Sequence, residues 1–214
     1  MTPQELVEHA LAASRSDDCV VIARSSTGAN LRWANNTLTT NGVMRGSTVT
    51  VIAFARRSDG IATASVSGTA STAEQVERLV EAADAAAAAG TPAPDAAELV
   101  SGSVDPDWAE PPAETGIEVY SEFAPALGES FGRARASGRI LYGFVDHELT
   151  TTYLGSTTGM RRRDRGGESS SPVPRSIASL YTAIVRRRRS ESTPHSAIAA
   201  ARSESESAVA VGAP

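Results

Sequence analysis

Residues 29–89 read ANLRWANNTLTTNGVMRGSTVTVIAFARRSDGIATASVSGTASTAEQVERLVEAADAAAAA, and this stretch decides the fold. Three segments rich in β-branched residues precede one long Ala-rich helix. Residues 48–54, Thr-Val-Thr-Val-Ile-Ala-Phe, mix alternation with a short apolar run, the pattern of a strand with one well-buried face. Ser58-Asp59-Gly60 offers a tight turn, because glycine tolerates positive φ. Residues 61–67 return as the antiparallel partner. Asn35-Asn36 and Asn41-Gly42 are two further turn signals, which leave 37–40 as a short strand between them. Ser71-Thr72-Ala73-Glu74 then opens a helix, with the Ser71 hydroxyl expected on the first turn and Glu74 reaching back. Val76, Leu79, Val80 and Ala83 share the face that would lie on the sheet. Gly90 and Pro92 end the helix.

Working outward, Pro3 to Ser14 reads as an amphipathic helix, with Leu6, Val7, Ala10 and Leu11 on one face. Residues 19–24 read as a strand, Ser26-Thr27-Gly28 as a turn, and 29–33 as the next strand. Beyond the helix, residues 91–115 carry five prolines and few large apolar residues, a linker or meandering surface loop with Trp108 as the one candidate anchor to the core. A second helix spans 122–137, with Pro125 in its first turn. Strands follow at 139–145 and 149–154, joined by Asp146-His147-Glu148, and residues 155–159 form a glycine-bounded turn.

The chain has 214 residues and a formal charge of −5, without a single lysine. Residues 1–160 carry −10 and residues 161–214 carry +5. No apolar run approaches the roughly 20 residues that span a bilayer, and the polar, acidic N-terminus is no signal peptide. Cys19 is the only cysteine, which excludes an internal disulfide and suits a reducing cytoplasm; it reads as a buried structural thiol. After Met160 the composition turns to arginine, serine and glutamate, with only residues 177–185 apolar enough to pack. That composition fits a largely disordered Arg/Ser-rich tail and fits equally a GC-rich sequence read out of frame.

Catalytic motifs are missing. His147-Glu148 invites comparison with H-E-x-x-H, but Thr151 and Thr152 stand where the second imidazole would be, and the run is strand-like. The three histidines, at positions 9, 147 and 195, are scattered. No phosphate-binding glycine loop is present, and Ser156-Thr157-Thr158-Gly159 lacks the surroundings of a nucleophile elbow. The arginine runs 161–163 and 186–189 could contact phosphates, yet no aromatic interleaving or nucleic-acid-binding signature accompanies them. No catalytic, metal-ligating or cofactor-binding residue is therefore assigned, and the substrate-binding residues stay unknown.

Val20-Val21-Ile22, the run Leu31-Arg32-Trp33-Ala34-Asn35-Asn36, residues 48–54, the helix 74–89 and Tyr153-Leu154-Gly155-Ser156-Thr157-Thr158-Gly159 together resemble the N-terminal domain of the TldD/PmbA family, the modulators of DNA gyrase. The Asn-rich, Trp-containing version is more similar to the PmbA (TldE) branch. The likeness covers residues 1–160 and implies an α+β fold, an antiparallel or mixed sheet packed against helices. Its expected parts are a sheet-and-helix unit at 1–90, a Pro-rich linker at 91–115, a helix with strands at 116–160, and the low-complexity tail 161–214. The resemblance further implies a cytoplasmic metallopeptidase system in which TldD-like and PmbA-like subunits pair and cut unfolded peptides. Zinc belongs to the later part of TldD-like subunits, so none is expected in this chain. A truncated, PmbA-like subunit follows, inactive alone, which handles peptide with a TldD-like partner or self-associates. No membrane partner is expected. The second reading is a nucleic-acid-associated protein acting through the Arg-rich tail, and the third is an inactive remnant.

Overall fold

The computed structural model describes residues 1–93 and 97–166, and the backbone of 181–186. The fold is α+β. Helix α1 (Pro3–Ala13) leads into strands β1 (Asp18–Ala34), β2 (Thr37–Arg57) and β3 (Gly60–Thr69), then helix α2 (Ala73–Ala89). A 3-10 turn (Ile117–Tyr120) precedes helix α3 (Phe123–Ala136), and strands β4 (Arg139–Ser156), β5 (Arg161–Gly166) and β6 (Tyr181–Arg186) follow. The strand order is β3-β2-β1-β4-β5, with β6 paired to β4 as well. The β2–β3, β4–β5 and β4–β6 pairs are antiparallel.

Chain contacts divide the molecule into two units. The first comprises, among the described residues, 1–27, 44–93, 97–114 and 149–166. Its interior is aliphatic: Leu6, Val7 and Ala10 of α1 and Val76, Val80, Ala83 and Ala87 of α2 bury against Cys19, Val21, Ala23, Val49, Val51 and Ala53. Alternate residues of β1 and β2 supply one sheet face, as a period of two requires. Gly155 lets α1 sit directly on β4, since a Cβ there would lie 2.5 Å from Val7 Cγ1. Asp84 of α2 ties down the chain leaving α1, accepting from Ser14 Oγ at 2.9 Å, the Arg15 N–H at 2.7 Å and Ser16 Oγ at 2.6 Å.

The second unit comprises, among the described residues, 28–43, 115–148 and 181–186. Here α3 covers the sheet. Leu127, Phe131 and Ala134 pack with Ala29, Leu31 and Trp33 of β1 and Leu141 and Val145 of β4. The Tyr120 hydroxyl donates to the Ala29 carbonyl at 2.7 Å. Burial pushes that phenol up to about 12, with the Asp146 carboxylate adding to the effect.

Several local readings give way to longer elements. Ser26-Thr27-Gly28 is no turn but the middle of β1, with Thr27 buried. Asn41-Gly42 does not turn either: β2 runs straight through it, and Gly42 faces Asn30 of β1. Residues 146–148 continue β4 rather than connecting two strands. In each case cross-strand pairing overrides a local turn preference. The Asn35-Asn36 and Ser58-Asp59-Gly60 turns do form, with φ of 53° and 58° at the two asparagines and 142° at Gly60. The α2 cap is shifted by one residue from Ser71/Glu74. Thr72 Oγ1 accepts from the Gln75 N–H at 3.4 Å, and Gln75 Oε1 accepts from the Thr72 N–H at 3.2 Å. The same three-residue spacing is available in both frames, and Ser71 also donates to Gln75 Oε1.

The expected break after Met160 falls inside a hairpin. The turn expected at 155–159 is shorter: Gly155 and Ser156 stay in β4, residues 157–159 turn, with Gly159 at φ 86°, and residues 161–166 then pair with β4 as β5. The remainder of the expected tail, 167–180 and 187–214, lies outside the described residues.

Candidate functional site

The residues singled out in the sequence land in structural roles. Cys19 is fully buried in the core of the first unit, and burial pushes its thiol up to about 11; a Ser14 hydrogen bond opposes this and Asp84 adds to it. Because the folded thiol resists ionisation, the unfolded chain loses the proton first. Stability is then unaffected below about pH 9 and declines between about 9 and 11. Urea midpoints measured across that range should fall with pH, and Cys19→Ala should flatten part of the slope.

His147 lies within β4, its Nδ1 2.8 Å from Thr115 Oγ1 in the second unit. His9 pairs with Glu77 at 2.8 Å on the surface of the first. His195 lies outside the described residues. No group of three or more His, Cys, Asp or Glu side chains among the described residues could hold a metal ion. Trp108 packs onto the core, edge-on to Tyr153 with ring centroids 5.5 Å apart. The Pro-rich segment around it is pinned rather than loose. The Asp105 N–H donates to the Arg161 carbonyl at 2.8 Å, and the Arg161 N–H donates to the Ser103 carbonyl at 3.1 Å.

The arginines at 161–165 already face carboxylates of their own chain. Arg161 holds Glu8 through two bonds of 2.5 and 2.7 Å. Arg162 pairs with Asp105 at 2.5 Å, Arg163 with Asp107 at 2.9 Å and Arg165 with Glu110 at 2.6 Å. A phosphate would have to displace these partners. The second arginine run extends beyond the described residues at 187–189.

The feature with open chemistry is an edge of the sheet. β3 pairs with β2 only from Thr48 onward, and β2 begins eleven residues earlier, at Thr37. In the second unit, residues 37–43 therefore have β1 on one side and no strand on the other among the described residues. Thr37, Leu38, Thr39, Thr40, Asn41 and Val43 are all exposed, Leu38 at 41% and Val43 at 48%. The run holds no charge and no proline, the usual guards of an exposed edge. Such an edge offers unpaired N–H and C=O groups to any extended chain, with main-chain hydrogen bonds giving affinity without reading sequence. The hairpin that presents it is rigidly placed. Asn36, 4% exposed, donates from its backbone to the Leu141 carbonyl at 3.3 Å and from Nδ2 to the Arg139 carbonyl at 2.8 Å. Its Oδ1 accepts from the Leu141 N–H at 2.7 Å. Sequence reading placed a short strand here, but the open edge depends on where β3 stops, which no local signal reports.

The fold likeness expected from the sequence is there. TldE from Thermococcus kodakarensis superposes with a TM-score of 0.57 at 13% identity, covering 89% of this chain and 40% of that one. A modulator of DNA gyrase from Bacteroides thetaiotaomicron superposes with a TM-score of 0.50 at 11% identity, covering 85% of this chain and 43% of that one. This chain thus spans about two-fifths of the length of the solved structures it matches. No protein-family model matches the chain, and no curated protein matches it in sequence. Among the described residues no helix is long and apolar enough to cross a membrane.

Proposed function

We propose that this chain is a TldE-like member of the TldD/PmbA family that handles extended peptide without cutting it, beside a TldD-like subunit that carries the zinc. The observation that supports the reading most is the fold likeness to TldE over 89% of the chain. The uncharged, proline-free edge at 37–43 is where an extended peptide adds, by strand pairing. In this reading hydrolysis falls to the partner.

The test is binding of a fluorescently labelled, unfolded peptide to the purified chain, followed by anisotropy. Replacing Leu38 and Val43 together by lysine puts two charges on the edge while touching only exposed side chains. Affinity should drop about tenfold or more while the urea midpoint moves by less than about 0.5 kcal/mol equivalent. Unchanged affinity would remove the edge from the mechanism. Stoichiometric tightly bound zinc, or peptide cleavage by the chain alone that a chelator abolishes, would refute the non-catalytic role.

A further inference from the structure

β5 differs from the other strands of the first unit in what holds it. Its sequence is Arg161-Arg162-Arg163-Asp164-Arg165-Gly166, without one apolar side chain. Strand β2 sits in the same unit on buried Val49, Val51 and Ala53, and pairs with β3 through Ala62 and its neighbours. β5 instead has its backbone ladder to β4, from Arg161 opposite Gly155 to Gly166 opposite Thr150, main-chain bonds of Arg161 to Ser103 and Asp105, an Arg163 bond to the Pro111 carbonyl, and a set of charge contacts. Each of its four arginines meets a carboxylate: Glu8 of α1, then Asp105, Asp107 and Glu110 of the segment running beside the strand. Asp105 grips twice, accepting from the Arg163 N–H at 2.9 Å as well as from Arg162. These two bonds, the backbone one first, hold the Asp105 carboxyl below its usual range. Arg161 also lies 6.0 Å over the Trp108 ring and Arg163 5.7 Å over Tyr153.

We propose that β5 is a charge-latched strand, which detaches as ionic strength rises and uncovers the β4 edge at residues 150–155 while the rest of the unit stays folded. Three of the latching pairs have at least one well-exposed member, and exposed pairs are the ones salt weakens. The uncharged part of the β2–β3 ladder, 48–54 opposite 63–69, has no such dependence and serves as the reference within the same molecule. Opening converts a guarded edge into one able to accept a strand, so the latch couples ionic conditions to strand-pairing surface.

Hydrogen exchange of the full chain, followed by mass spectrometry at about 0.02 M and about 0.5 M sodium chloride, tests this. Peptides covering 150–155 and 161–166 should exchange about tenfold faster at high salt, the combined effect of three screened pairs. Peptides covering 48–54 should not change. A β5 ladder that ignores salt, or a β2–β3 ladder that responds equally, overturns the proposal. Arg162→Gln removes one exposed pair: it should speed β5 exchange about threefold at low salt and shrink the salt response. A full salt response in that variant also overturns it.

Discussion

Replacing Asn36 by alanine should lower stability by about 3 kcal/mol, read as a drop in the urea midpoint at unchanged slope. The size follows from what the side chain does. Its Nδ2 and Oδ1 satisfy the Arg139 carbonyl and the Leu141 N–H, extending the ladder past the end of the hairpin. Leu141 is buried, so its N–H cannot turn to water once the amide is gone. An orphaned buried backbone group costs about 1–3 kcal/mol. Asn36 also sits at φ 58°, a region asparagine tolerates and alanine resists by about 1 kcal/mol. Glycine separates the two effects. Asn36→Gly relieves the backbone but restores neither bond, so it should cost about 1 kcal/mol less than alanine. Equal losses in both variants would mean that backbone conformation contributes nothing, and a loss under about 1 kcal/mol in both would remove the amide bridge from the account.

Arg163→Ala should cost about as much, roughly 3 kcal/mol. Its side chain is 2% exposed, although sequence composition assigned this residue to a solvated tail. The guanidinium donates to Asp107 at 2.9 Å, the Pro111 carbonyl at 2.8 Å and the Tyr153 hydroxyl at 3.2 Å. Burial pulls its pKa down, and the bonds to Tyr153 and Asp107 more than restore it, so the arginine stays charged. Removing it leaves a cavity over Tyr153, itself fully buried, and frees Asp107, which is partly exposed and can rehydrate. That places the loss at the lower end of the range for a broken buried pair. Arg163→Lys keeps the charge but cannot reach three acceptors in a plane, and should recover only part of the loss. Thermal or urea unfolding of the three proteins measures both steps; an alanine variant as stable as the wild type would return β5 to the status of a loose tail.

The parts of this fold that could be read from sequence are those whose cause is local. Asn35-Asn36 turns because two adjacent residues tolerate positive φ, and the hairpin around Gly60 forms for the same reason. The faces of α1, α2 and α3 follow from their spacing, with Leu6, Val76 and Phe131 buried as expected. Asn41-Gly42 carries the same local signal as a real turn, yet the strand continues through it, because β1 runs alongside and pairing outweighs a dipeptide preference. β5 was illegible for a different reason. Every carboxylate that makes this arginine-rich strand tenable lies far off in sequence, from Glu8 to Glu110, and no hydrophobic alternation marks it. Likewise a strand at 37–40 was visible, while its continuation through Asn41-Gly42 and its being an edge were not.

The proposed role stands or falls at that edge. Hydrogen exchange of the full chain, with and without a saturating unfolded peptide, reads it residue segment by segment. The account predicts new protection across 37–43, where added main-chain hydrogen bonds would form, and little change in 48–54, which β3 already pairs. Binding that leaves 37–43 as exposed to exchange as before would contradict it.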